Sequence, residues 1–256
     1  MKYFIFVVSM LDSARRKQIN NELQGKKFEF IDAVVGKNID PKRLNFINDS
    51  VWVKERYNRS LTSGEIGCAL SHRNIYQKMV DDDIEWAIIF EDDIYLKYDF
   101  FYEIEKIKKY FSHNDLFVLG VQEGLKSKDY ILFSRKDKFN LDNGFSLRKT
   151  HHSEKYIYRT AAYIISKSSA KKILDFTAEN FCCADDWYIF KKYNLINNIY
   201  LGDFVGHPED ISNQSLLEAE RKKMEKKDWK QNFPIAYSFL RHMKILIRKT
   251  LYGAIK

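Results

Sequence analysis

One stretch constrains this chain more than any other. Trp86-Ala-Ile-Ile-Phe90 is an unbroken apolar run, and it stops abruptly at three consecutive carboxylates, Glu91, Asp92 and Asp93. A short continuous apolar run bounded by polar residues reads as a strand covered on both faces, which belongs to a layered α/β sheet. Similar runs recur at Tyr3 to Val8 and Leu116 to Leu119, and Ile199 to Val205 reads as a final strand. Phe28 to Ile31 reads as a shorter strand, and Tyr156 to Ile165 as a longer one. Between them lie helical patterns: within Ser9 to Gln24, from Thr62 onward, Ser166 to Phe176, and after Asp185-Asp186-Trp187. Strands alternating with helices predict an α/β domain with a mainly parallel central sheet. Thr62, with Glu65 three residues later, has the pattern of a capping box. Asn38 to Arg59 reads as irregular, and Lys126 to Lys155 as a polar loop suited to a lid.

Composition narrows the class. The chain has 256 residues, of which 45% are hydrophobic and 30% charged, the balance of a globular protein with a core. No apolar stretch approaches the roughly 18 residues of a spanning helix. The apolar opening runs into Asp12 and Arg15-Arg16 without a small-residue cleavage site, so no signal peptide is expected. Three cysteines, Cys68, Cys182 and Cys183, are too few and too oddly spaced for a disulfide framework or a C-x-x-C zinc motif. A reduced, cytoplasmic setting is therefore expected.

The net charge of +8 is concentrated at one end. Residues 218–256 hold eleven Lys and Arg against four Asp and Glu, which leaves residues 1–217 near neutral. Within that tail Ile235, Phe239, Leu240, Met243, Leu246, Ile247 and Leu251 recur at helical steps, with Arg241, Lys244, Arg248 and Lys249 mostly between them. Such a cationic amphipathic helix suits an anionic membrane surface; packing against the body is the alternative. No nucleic-acid motif accompanies it, so a nucleic-acid partner is not expected.

Ligands in open α/β sheets bind beyond the carboxyl ends of the strands, and that is where the acidic triplet falls. Three adjacent carboxylates repel one another, and a hard divalent cation, Mn²⁺ or Mg²⁺, is the natural compensation. A solvated acidic turn is the plainer alternative. Asp185-Asp186 offers a general base or, equally, a helix N-cap. His72, after Ser71 on the capped helix, suits a buried hydrogen-bonded histidine, a base or a phosphate donor, and His207, in a loop before Pro208, suits a metal ligand or a structural histidine. Arg15 and Arg16 follow the first strand, where a diphosphate would lie in a nucleotide-binding α/β fold; a solvated helix start is the equal alternative.

Taken together, these motifs resemble glycosyltransferase family 25, the lipooligosaccharide galactosyltransferases and their collagen-modifying relatives. The resemblance rests on Leu61-Thr-Ser-Gly-Glu-Ile-Gly-Cys-Ala-Leu-Ser-His72 and Ile88-Ile-Phe-Glu-Asp-Asp-Ile94. Val8 to Arg16 and Thr160 to Leu174 add to it, and it spans roughly residues 2–215. It implies a GT-A type fold over residues 1–217, with residues 218–256 as an appended tail. It also implies inverting, metal-dependent transfer of a hexose, galactose from UDP-galactose above all. The acceptor would be a lipid-linked lipooligosaccharide presented at the inner face of the cytoplasmic membrane, where the tail would dock. Glu91 and Asp93 match the outer acids of the family's metal motif, Asp93 being the first choice for direct coordination. His207 joins them by analogy with other GT-A enzymes. Arg15, Arg16, Ser71, His72, Glu91 and Asp92 would line the donor site. Asp185 matches the family's candidate base, with Asp186 a close rival because the acid is doubled. Cys183 stands where a proline is expected. The rival readings are a divalent-metal phosphohydrolase and a non-catalytic UDP-sugar or glycan-binding protein.

Overall fold

A computed structural model describes residues 2–207 except 98, 121, 123, 126 and 142–145, together with 243, 246, 247 and 250. Among the described residues nine strands form one sheet: β1 (Phe4–Ser9), β2 (Glu29–Asp32), β3 (Trp86–Glu91), β4 (Tyr95–Leu96), β5 (Leu116–Gly120), β6 (Phe133–Asn140), β7 (Ser146–Thr150), β8 (Ala162–Ser166) and β9 (Ile199–Gly206). Their order is β2-β1-β3-β8-β5-β9-β7-β6, with β4 pairing to β9.

The expected mainly parallel sheet is corrected to a mixed one. β1 runs parallel to β2 and β3, and β5 to β9. β8, however, lies antiparallel between β3 and β5, and β7 antiparallel to β9. β8 buries the same residues in either direction, and the other part of the difference is the stretch read as a loop. β6 and β7 form an antiparallel hairpin there, and β6 reads Phe-Ser-Arg-Lys-Asp-Lys-Phe-Asn with four consecutive exposed residues. An edge strand of an antiparallel pair can be solvated, and its charges guard the edge, so it lacks the apolar signature of a central strand.

Side-chain alternation splits the core between the two faces of the sheet. Phe6, Ala87, Ile89, Val118, Tyr163 and Ile165 face one way. They meet α4 (Ser63–Asp81), α6 (Lys167–Glu179) and α7 (Trp187–Lys192). Ile5, Val7, Ile88, Phe90, Phe117 and Ile164 face the other way, onto α1 (Arg15–Glu22) and α5 (Phe100–Ile107). Asn38 to Arg59 is not irregular but holds two helices, α2 (Pro41–Asp49) and α3 (Val51–Tyr57). Their caps are local: Asp40 accepts from Lys42 N at 2.9 Å ahead of Pro41, and Ser50 Oγ accepts from Val53 N at 3.3 Å.

The long motif preceding the acidic strand is explained by α4. Thr62 and Glu65 close a reciprocal capping box. Buried Glu65 also takes a bidentate ion pair from Arg59, at 2.7 and 2.8 Å. A Cβ on Gly67 would sit 2.4 Å from Val34 O, and one on Gly36 would sit 2.2 Å from Ser63 O. Only glycine permits that approach. Four residues after Gly67, Ser71 Oγ donates to Gly67 O and accepts from Val34 N, both at 2.8 Å.

The tail expectation, residues 218–256, lies outside the described residues apart from Met243, Leu246, Ile247 and Thr250, which are helical and exposed. No helix among the described residues is long and apolar enough to cross a membrane.

Candidate active site

The site lies where β1, β3 and β9 end. The turn after β3 sends its three carboxylates to different partners. Asp92, buried, accepts a 2.6 Å hydrogen bond from Ser9 Oγ at the end of β1. Asp93 Oδ2 lies 3.1 Å from His207 Nε2, just after β9, and 3.3 Å from Arg15 Nη1 at the start of α1. Arg15 Nη1 is also 3.7 Å from Asp92 Oδ1. Burial works to raise the Asp93 carboxyl, but the His207 hydrogen bond and the charges of His207 and Arg15 outweigh it. The carboxyl therefore stays below its ordinary 3.8. Its second oxygen, Oδ1, is buried with no hydrogen-bond partner.

Glu91 faces elsewhere. Strand alternation puts it on the side of Ala87 and Ile89, toward α4. Its carboxylate accepts from Thr160 Oγ1 and lies 3.8 Å from His72 Nε2. Thus Asp93 and His207 meet, whereas Glu91 joins His72 on the other side of the turn. Among the described residues, the Glu91, Asp93 and His207 ligand atoms do not all lie within 4.8 Å of one another.

The two arginines have separate duties. Arg15 addresses the acids. Arg16 donates to Ser9 O at 3.1 Å and to Met10 O at 3.0 Å, pairs with Asp32 and lies over the Phe30 ring at 4.6 Å. It holds the turn after β1 in shape. Ser71 is likewise occupied in joining α4 to the Val34 backbone.

Asp185 and Asp186 are also distinguished. Asp186 is buried; Arg56 grips both of its oxygens, at 2.6 and 2.9 Å, and Tyr57 Oη adds a third bond at 2.9 Å. Tyr57 Oη in turn accepts from Cys183 N at 2.8 Å, so α3 is pinned to the segment leading into α7. Burial raises the Cys182 thiol to about 12 and the Cys183 thiol well above its ordinary value. None of the three cysteines is in a disulfide. Asp185 is half-exposed, and its Oδ2 accepts from Arg159 N at 2.9 Å. Three successive residues then join the two acidic clusters. Arg159 N reaches Asp185, Thr160 Oγ1 reaches Glu91, and Ala161 O accepts from Glu91 N at 2.9 Å.

Sequence reasoning gave no site role to Ser9, Arg56, Tyr57 or Thr160, because each acts through a partner distant in the chain. Cys68 carried a readable signal: it lies four residues before His72 on one helix, which puts both on the same face.

The family model for glycosyltransferase family 25 (LPS biosynthesis protein) matches residues 2–189, well over half of the chain. The chain belongs to glycosyltransferase family 25. As a family 25 protein it is a transferase. It is 29% identical over 256 residues to lipooligosaccharide biosynthesis protein lex-1 of Haemophilus influenzae, covering 86% of this chain and 83% of that relative. It is 28% identical to lipooligosaccharide biosynthesis protein lic2B of the same species, over 85% and 83%. Human procollagen galactosyltransferase 2 is 24% identical over 65% of this chain and 27% of its own length.

Proposed function

We propose that this family 25 protein is an inverting, metal-dependent hexosyltransferase with a GT-A type site. In this reading it moves galactose from UDP-galactose onto a lipid-linked lipooligosaccharide acceptor, forming a β-linkage. The observation that carries this reading is the convergence of the Asp92–Asp93 turn, Arg15 and His207 at the strand ends. Asp185 is joined through residues 159–161 to Glu91, the first acid of that turn, on its other side. The lipooligosaccharide names of lex-1 and lic2B and the galactosyltransferase name of the human relative support the substrate class.

The residues suit a divalent cation. Asp93 Oδ1 is a buried oxygen with no hydrogen-bond partner, and the same carboxylate's Oδ2 lies 3.1 Å from the His207 imidazole. Oxygen ligands with one nitrogen suit Mn²⁺ or Mg²⁺. Asp93 and His207 would hold the ion, which would supply neutralising charge to a diphosphate leaving group. Arg15, at the mouth of the same cluster, orients the diphosphate and shares its charge. Asp92, hydrogen-bonded to Ser9, fixes the turn. Asp185 accepts the proton of the acceptor hydroxyl as that oxygen attacks the anomeric carbon from the face opposite UDP. The Arg159 N–H keeps the Asp185 carboxylate aimed.

The test is UDP release from a panel of UDP-sugars with truncated lipooligosaccharide acceptors, run with Mn²⁺ and again with chelator. Turnover of UDP-galactose that chelator abolishes is the expected result; absence of UDP binding would overturn the reading.

The charge pattern of residues 218–256 and the exposed Met243, Leu246 and Ile247 support docking on an anionic bilayer at the inner membrane face. Truncation after residue 217 is expected to abolish pelleting with anionic vesicles. Unchanged pelleting would remove the tail from this role.

A further inference from the structure

We propose that Cys68, His72 and Glu91 form a zinc site, separate from the Asp93–His207 cluster. One ligand atom from each lies within 4.8 Å of the other two, the only such trio of His, Cys, Asp and Glu among the described residues. Cys68 and His72 are one turn apart on α4, and Glu91 ends β3, so an ion there would clamp helix to strand.

His72 carries the inference. Its side chain is 1% exposed, and Nε2 is buried with no hydrogen-bond partner, aimed at Glu91 Oε1 3.8 Å away. The ring is fixed from its far side. Nδ1 lies 2.7 Å from Tyr163 Oη, which is 2.9 Å from Tyr76 Oη. With the Nδ1 proton donated to Tyr163, the Nε2 lone pair points into the trio. A metal-ligating histidine has this arrangement, its second nitrogen held by an outer partner. Glu91 has an outer partner too, Thr160 Oγ1, which also lies 3.9 Å from Cys68 Sγ.

The donor set selects the ion. Thiolate with imidazole and carboxylate is a zinc set, whereas Mg²⁺ prefers all-oxygen surroundings. Zinc bonds of about 2.0–2.3 Å require the three atoms to close in slightly from their present separations. On binding, the Cys68 thiol gives its proton to solvent and the imidazole stays neutral. The +2 ion is then balanced by one thiolate and one carboxylate. Three protein ligands leave the fourth tetrahedral position for water or a substrate oxygen. This assignment does not depend on the transfer reading.

The competing arrangement is a His72–Glu91 charge pair with no metal, and the experiment separates the two. The full chain, purified without chelator, is expected to retain one zinc per molecule through dialysis. X-ray absorption at the zinc edge should then show one sulfur at about 2.3 Å among nitrogen and oxygen neighbours. Cobalt substitution should give a thiolate charge-transfer band. Cys68→Ser should remove that band and the bound ion, while Asp93→Asn keeps both. Tyr163→Phe, by releasing the ring, should weaken zinc about 10–100-fold in competition with a chromophoric indicator. No zinc binding on titration, a shell lacking sulfur, or binding that Cys68→Ser leaves unchanged would overturn the proposal. The absorption measurement needs no variant, so the test survives if a substitution fails to fold.

Discussion

Asp93→Asn is expected to lower metal-dependent sugar transfer by at least about 100-fold, with the fold retained. The substitution keeps the shape of the side chain and removes its charge. It acts on a carboxylate that His207 and Arg15 approach together, at 3.1 and 3.3 Å, and whose second oxygen is buried without a hydrogen-bond partner. Because that carboxyl lies below its ordinary 3.8, its pairing contributes stability above pH 3.8, and the contribution is lost as pH falls through the folded-state value. The melting-temperature difference between wild type and Asp93→Asn should therefore narrow on acidification. Initial rates at saturating donor and metal, with melting curves at several pH values, check both parts. Activity within about threefold of wild type would mean that Asp93 holds neither metal nor diphosphate.

Asp185→Asn and Asp186→Asn should fail in opposite ways, although the residues are adjacent. For Asp185→Asn, transfer should fall about 10²–10⁴-fold, the usual worth of a positioned general base, while UDP-sugar binding survives. The amide keeps an oxygen to accept from Arg159 N. Asp186→Asn instead breaks a buried bidentate pair with Arg56 and weakens the Tyr57 bond. That should cost about 3 kcal/mol of stability, read as a lower melting temperature. Donor-binding titrations, single-turnover rates and melting curves on both variants distinguish the roles. A folded, donor-binding but inactive Asp186→Asn beside a fully active Asp185→Asn would exchange them.

These two acids also show how far the sequence reaches. Their doubling made the register ambiguous in one dimension, and only the position of Arg56, 130 residues earlier, separates them. Glu91, Asp92 and Asp93 were legible as a cluster at a strand end, because an apolar run meeting three carboxylates is a local pattern. That the cluster is divided, with Asp93 toward His207 and Glu91 toward His72, follows from side-chain alternation and from elements that pack much later in the chain.

The same division holds for the fold. The Thr62–Glu65 capping box, the central strands and the late helices are determined by bonds three residues apart or by uninterrupted burial, and both leave marks in the sequence. The caps at Asp40 and Ser50 left marks as well, though the polar surroundings of α2 and α3 obscured them. The direction of β8 and the hairpin beside β9 left none. A parallel and an antiparallel central strand bury the same residues, and a solvated edge strand reads as a loop. Local chemistry therefore set the elements and gathered the acids in the sequence itself. The packing of distant segments decided which way the strands run, which acid stays half-exposed, and which is buried in the grip of Arg56 and Tyr57.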